Sequence, residues 1–336
     1  MPDRSATIDR FLAAHGWGGA DRRPLPGDAS FRRYVRLHRN GDTAMLMDAP
    51  PPKEDVRPFL RVARLLHRLG LSAPAVLAVD ETAGLLLLED FGDETYTRAL
   101  IAGSDQAALY TLATDLLIAL QTGFASPMGT EIPPYDDDRL LTEAALLVDW
   151  YLPAVRGAPT PLALREDYLD RWRDTFAMAR AVGDTLVLRD YHVDNLMLLH
   201  GRHGVAACGL LDFQDAVIGP ASYDLVSLLE DARRDVPGDL GARMIARYLD
   251  AFPSLDRDAF RASYAIMGAQ RSAKIIGIFT RLDRRDGKPI YLKHIPRVWR
   301  WLEGDLRHPA LAGLRAWFDR ELPAGTRVTP QPKGKA

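Results

Sequence analysis

Near residue 95 the hydrophobic pattern of the chain changes period, and that change limits what it can fold into. Before it, apolar residues come in short runs. "RRYVRLHR" and "TAMLMD" flank the turn "NGD", and "AVLAVD" and "GLLLLED" flank "ETAG". Such runs, bounded by Asn-Gly or Gly turns, read as antiparallel strands. Between the two pairs, "RPFLRVARLLHRLG" sets Phe59, Leu60, Ala63, Leu66 and Leu69 at helical spacing, with Gly70 to stop it. Ile8, Phe11 and Leu12 share one face of a short helix expected to end near Gly16. After residue 95, "DQAALYTLATDLLIALQ", "REDYLDRWRDTFAMARAV" and "DRDAFRASYAIMGAQRSAKIIGIFTRL" are long helical stretches. In this half, strands are expected only at 185–189, 195–200 and 206–212.

A length of 336 residues exceeds what one core usually holds. The expected class is therefore α+β, with a small antiparallel β-rich lobe over 1–90 and a larger, mainly helical lobe over 91–326. "EDFGDE" is the natural hinge, and the tail 327–336, which lacks apolar periodicity, is expected to be disordered. The formal net charge of −2 offers no attraction for a polyanion, so neither nucleic acid nor membrane is an expected partner. No run approaches the roughly 20 apolar residues of a membrane span, and the first residues lack the apolar centre of a signal peptide. Cys208 is the only cysteine, which excludes an intramolecular disulfide and suits a reducing compartment. A cytoplasmic monomer is the expectation.

One stretch departs from this ordinary composition. "LVLRDYHVDNLMLL" crowds Asp190, His192, Asp194 and Asn195 between two apolar runs. Unpaired polar groups in a core cost a few kcal/mol each, so this is either a solvated turn or a loop with chemistry in it. Asp190 lies at the end of an apolar strand and Asn195 follows five positions later. A further apolar run, "AACGLLDF", ends in Asp212. Phosphoryl transfer needs such a set: one carboxylate to orient a hydroxyl and take its proton, and an amide oxygen with a second carboxylate to hold Mg²⁺ on the phosphates.

The spacing Asp-x-x-x-x-Asn, followed by a hydrophobic strand ending in Asp-Phe, resembles the catalytic and metal loops of the protein-kinase-like superfamily. "RDYHVDNLMLL…GLLDFQDAVIGPASYDLVSLLED" is similar to its aminoglycoside phosphotransferase and choline kinase branch. "PGDASFRRY", "MLMDAPPPKED", "LLLLEDFGDETY", "DWYLP", "LRDYHVDNLM" and "QRSAKIIGIFTRL" resemble the anomeric kinases that phosphorylate N-acetylmuramate and N-acetylglucosamine at C1 in cell-wall recycling. The resemblance implies a protein-kinase-like two-lobed fold, ATP as phosphoryl donor and Mg²⁺ as cofactor. It also implies Asp190 as the proton acceptor, Asn195 and Asp212 as metal ligands, and Asp224 as a buttress of the catalytic loop through backbone contacts. A kinase of another small alcohol, of aminoglycoside or choline type, or a nucleotide-binding pseudokinase are the alternatives.

The departures from the family pattern raise their own expectations. Leu188 stands where a His usually braces the loop, and Gln214 replaces the Gly after Asp-Phe. Asp48 falls near the place of the phosphate-contacting lysine, leaving Lys53, Arg32 and Arg33 as cationic substitutes. The nucleotide is expected under the loop around Gly27 and Ser30, beside Phe31, and against main-chain groups near Glu89 and Phe91. His192 and Asp194 line the acceptor site or brace the loop. "YDDDRLLTE", which carries Asp136 to Asp138 and Glu143, reads as a solvated helix start or as hydroxyl recognition. Gln270, Arg271 and Lys274 share a helix face. The cations among them read as surface groups, unless the acceptor carries a lactyl carboxylate for Arg271 or Lys274 to pair with.

Overall fold

The computed structural model describes residues 4–26, 31–124 and 131–334. The chain divides into two compact units, one of residues 1–120 and 193–215, the other of 121–192 and 216–336.

The first unit is built on an antiparallel sheet of five strands: β1 (Asp21–Pro24), β2 (Arg33–Arg39), β3 (Asp42–Asp48), β4 (Val76–Asp80) and β5 (Leu85–Leu88). Their spatial order is β1-β2-β3-β5-β4. Asn40 and Gly41 join β2 to β3 with φ of 52° and 91°, the left-handed pair that matches strand twist in a two-residue hairpin. Leu37, Leu46, Leu85 and Leu87 pack with Phe11 and Leu12 of the helix Arg4–Ala14. β1 was not foreseen. All four of its residues are exposed, so no alternation marks them, and only pairing with β2 makes them a strand.

Four further strands follow. β6 (Asp184–Val187) pairs with β9 (Val217–Pro220) in the second unit, and β7 (Leu196–Leu198) pairs with β8 (Cys208–Leu210) in the first. β9 corrects the expectation of three strands in this half; its Gly and Pro hid it. Backbone bonds explain why the β7–β8 hairpin joins the N-terminal sheet unit and why that unit is not simply 1–90. Leu210 N donates to Ser72 O (2.7 Å) and Leu198 N to Glu94 O (2.9 Å). Gly209 also lies so close to Phe91 that a Cβ there would come within 2.9 Å of the ring.

The second unit is helical. Its core gathers Tyr151, Trp172, Phe176, Ile276, Trp299 and Trp317 around the 30-residue helix Arg257–Asp286. Asp256 caps that helix by accepting from Asp258 N and Ala259 N, and Gly287, at φ +67°, ends it. Gly277 lets it approach the main chain of Leu146, where a Cβ would sit 2.3 Å from the carbonyl carbon. The tail is not free of structure through residue 334. Tyr151 OH donates to Val328 O (2.8 Å), Arg327 Nη1 to Glu303 Oε1 (2.7 Å), and Lys333 N to the Asp283 carboxylate (3.1 and 3.2 Å). Its order comes from polar anchors, which hydrophobic periodicity does not register.

Candidate active site

Within the first unit a cleft of about 790 Å³ opens beside the sheet, a size ordinary for cofactor sites. Leu25, Pro26, Met45, Leu88, Met197 and Leu211 supply apolar walls. Arg32, Tyr34 and Arg36 line it from alternate positions at and beyond the start of β2, as the two-residue period of a strand dictates. Asn195 and Asp212 line it as well. The hairpin brings these two together: Leu196 pairs with Leu210, so Asn195 lies across from Leu211, and Leu211 N donates to Asn195 O (3.0 Å). Asp212 follows at φ +56°, a conformation that a non-glycine residue rarely adopts and that gathers at functional sites. Gln214, standing in the glycine position, donates from Nε2 to Asp212 Oδ1 (2.9 Å) and so fixes the carboxylate.

Of the three candidate cations Arg32, Arg33 and Lys53, Arg32 lines the cleft. Arg32 Nη2 is 3.6 Å from Asp212 Oδ1, and its Nε is 3.8 Å from Glu54 Oε2. Lys53 instead lies over the Phe31 ring, 4.4 Å from its centre, and neither lines the cleft. Arg33 pairs across the sheet with Asp48, which forms an ion pair with Arg4. Phe31 N donates to Glu54 Oε1 (3.0 Å). Burial beside Asp212 and Glu54 pushes the Tyr34 phenol up to about 12, against the pull of Arg32. Gly27 and Ser30 lie outside the described residues.

In the segment after β5, Glu89 N donates to Ala75 O (2.8 Å), so that N–H is already committed, while Glu89 and Phe91 both line the cleft. The Arg202 guanidinium stands 5.2 Å from the Phe91 ring centre. Arg36 was missed in the sequence. It donates to Asp90 Oδ1 (3.0 Å), Asp93 Oδ2 (2.8 Å) and Gly92 O (2.9 Å), clasping the segment after β5 to β2. Its place two and four residues from Tyr34 and Arg32 was the signal available. Asp194 accepts from Thr97 Oγ1 and Val193 O from Thr97 N (3.2 Å), bonds that tie this stretch to the helix Tyr96–Ile101.

Asp190 and His192 belong to the second unit, the chain passing between the units at 192/193. Asp224 accepts from Leu188 N (2.6 Å) and Arg189 N (2.9 Å), so the loop is braced without the usual His. Burial raises the Asp224 carboxyl to about 7, against the effect of those two N–H groups. Arg189 is held at φ +70°, immediately before the half-buried Asp190. Burial alone would raise the Asp190 carboxyl, but the charges of Lys274, Arg271 and Arg189 bring it below its ordinary value, so it is ionised at neutral pH. Burial lowers His192, which keeps the imidazole neutral there.

Three charges read as surface groups are buried here: Glu143, Arg271 and Lys274. Glu143 pairs with Arg189 and with Lys274 Nζ (3.3 Å), and accepts from Tyr135 OH and Gln270 Nε2 (3.3 Å). The helix Asp137–Leu146 carries Glu143 two turns in, away from the solvated start at Asp136 to Asp138.

A nucleotide-sized cleft, two oxygen donors set side by side by a hairpin, and an ionised aspartate at a braced strand end are the equipment of phosphoryl transfer. The chain belongs to the phosphotransferase enzyme family, which it matches over residues 21–261. It is 40% identical to the N-acetylmuramate/N-acetylglucosamine kinase of Caulobacter vibrioides, over 97% of this chain and 98% of that one. It is 39% identical to the enzyme of the same name from Pseudomonas aeruginosa, over 91% of each. Its fold is that of a choline kinase from Streptococcus pneumoniae, with a TM-score of 0.62 at 12% identity over 90% of this chain and 99% of that one.

Proposed function

We propose that the protein is an ATP-dependent kinase that phosphorylates the anomeric hydroxyl of N-acetylmuramate and N-acetylglucosamine, giving the sugar 1-phosphate in cell-wall recycling. The observation that carries the reading is the β7–β8 register, which sets Asn195 and Asp212 together in a cleft that Arg32 also lines. Hard oxygen donors of this kind fit Mg²⁺, which usually keeps several ligands from water and phosphate and needs only one or two from protein. When bound, Mg²⁺ would neutralise charge on the nucleotide phosphates.

The apolar walls take the purine, and Arg32, held between Glu54 and Asp212, faces the phosphates in the role of the missing lysine. Asp190 accepts the proton of the sugar hydroxyl as its oxygen bonds to the γ-phosphorus and ADP leaves. An ionised carboxylate suits that task. His192, neutral and buried, borders Asp190 on the acceptor side. Among the described residues no helix is long and apolar enough to cross a membrane, and we place the reaction in the cytoplasm, by a monomer.

Phosphorus NMR of the products formed with Mg-ATP and each amino sugar tests this, since it reports both transfer and the carbon modified. Asp190→Asn should lower turnover by roughly 10²- to 10⁴-fold while ATP still binds. A variant that kept most of its activity, or a wild type that moved no phosphate to either sugar, would end the proposal.

A further inference from the structure

The three cations around Asp190 are not equivalent. Lys274 lies 3.3 Å from Glu143 Oε2 and donates to Tyr223 OH (3.0 Å), and Arg189 pairs with the same Glu143. Arg271, three residues before Lys274 on the long helix, is only 6% exposed, yet its Nε and Nη1 are buried without a hydrogen-bond partner among the described residues. Asp190, Asp224 and Glu230 lie within its electrostatic reach, yet none of them hydrogen-bonds those two nitrogens, and Asp224 already accepts two backbone N–H groups. A guanidinium has five donors and no acceptor, and it cannot escape its charge by deprotonating. Nearby carboxylates offset its charge, but leaving buried donors without an acceptor still costs about 1–3 kcal/mol. Such a group is explained where an anion from outside the chain completes it.

The two sugars named for the relatives differ in one respect: N-acetylmuramate carries a lactyl ether, and with it a carboxylate, that N-acetylglucosamine lacks. Resting on the sugar-kinase reading above, we propose that Arg271 is the acceptor's anion subsite and takes that carboxylate in charge-assisted hydrogen bonds. Asp190 holds the reacting hydroxyl of either sugar, and Arg271 distinguishes between them. With the neutral sugar, water completes the guanidinium, which permits turnover without the added binding.

The test compares initial rates on N-acetylmuramate, its methyl ester and N-acetylglucosamine. For the wild type, the ester should show a KM about 10- to 100-fold above the acid, the range for a hydrogen bond to a charged group. Arg271→Gln should abolish the acid-to-ester difference and lower kcat/KM for the acid far more than for the other two, with Arg271→Lys recovering part of the preference. The acid-to-ester comparison on the unmodified protein stands even if a variant folds poorly. Equal KM values for acid and ester, or an equal fall on all three substrates in Arg271→Gln, would overturn the assignment and leave the kinase reading intact. A wild type inactive on every amino sugar would instead remove the kinase reading.

Discussion

Glu143 should be the most sensitive single charge in the second unit. Glu143→Gln keeps the shape and the hydrogen bonds to Tyr135 and Gln270 within reach, but leaves Arg189 and Lys274 without their shared counter-ion. Burial acts to raise the Glu143 carboxyl, yet Lys274 and Arg189 bring it from 4.5 down to about 2. At about 1.4 kcal/mol per pKa unit, that displacement is worth about 3 kcal/mol. Breaking a buried ion pair from one side gives a similar figure, about 3–5 kcal/mol. Because the folded-state value is depressed, the contribution is fully present above the unfolded value near 4.5. It is lost as pH falls towards 2. Urea unfolding followed by far-UV circular dichroism should therefore show the variant about 3 kcal/mol less stable at pH 7, with the gap closing between pH 4.5 and 2. A loss below about 1 kcal/mol, or a gap that stays constant with pH, would refute the account of Glu143 as the hub for both cations.

Arg32→Gln should raise KM for ATP about 10- to 100-fold by removing a charge-assisted contact, and Arg32→Lys should recover part of it; unchanged nucleotide kinetics in the Gln variant would show that another group faces the phosphates. Gly277→Ala would push a methyl against the Leu146 main chain, which cannot move aside as a side chain can, and should cost about 1–3 kcal/mol or more. A thermal melt that matched wild type would mean the two helices separate more easily than their packing implies.

The β2–β3 hairpin, the helix Arg57–Arg68 and the long helix Arg257–Asp286 were legible because each is written in local terms: a two-residue period with Asn-Gly between, or a helical period with a glycine stop. Asp190, Asn195 and Asp212 were legible for a related reason. Polar residues at the ends of apolar strands stand out against their neighbours, and antiparallel pairing of β7 with β8 carries Asn195 and Asp212 to the same end of the hairpin. β1 left no such mark, being exposed throughout, and the ordering of the tail depends on Tyr151 and Asp283, far away in sequence.

By itself, then, the sequence determined the hairpins and helices whose period and turns are local, and it singled out Asp190, Asn195 and Asp212 as candidates, because spacing and turn propensity act over a few positions. Tertiary structure alone decided which charges are buried and whom they serve. Arg32 beside Asp212, Glu143 beneath Arg189 and Lys274, and two Arg271 nitrogens buried without a hydrogen-bond partner among the described residues are outcomes of segments up to about 180 residues apart meeting in space. A charged side chain reads the same in a sequence whether water or a distant counter-ion surrounds it, and only packing chooses between them.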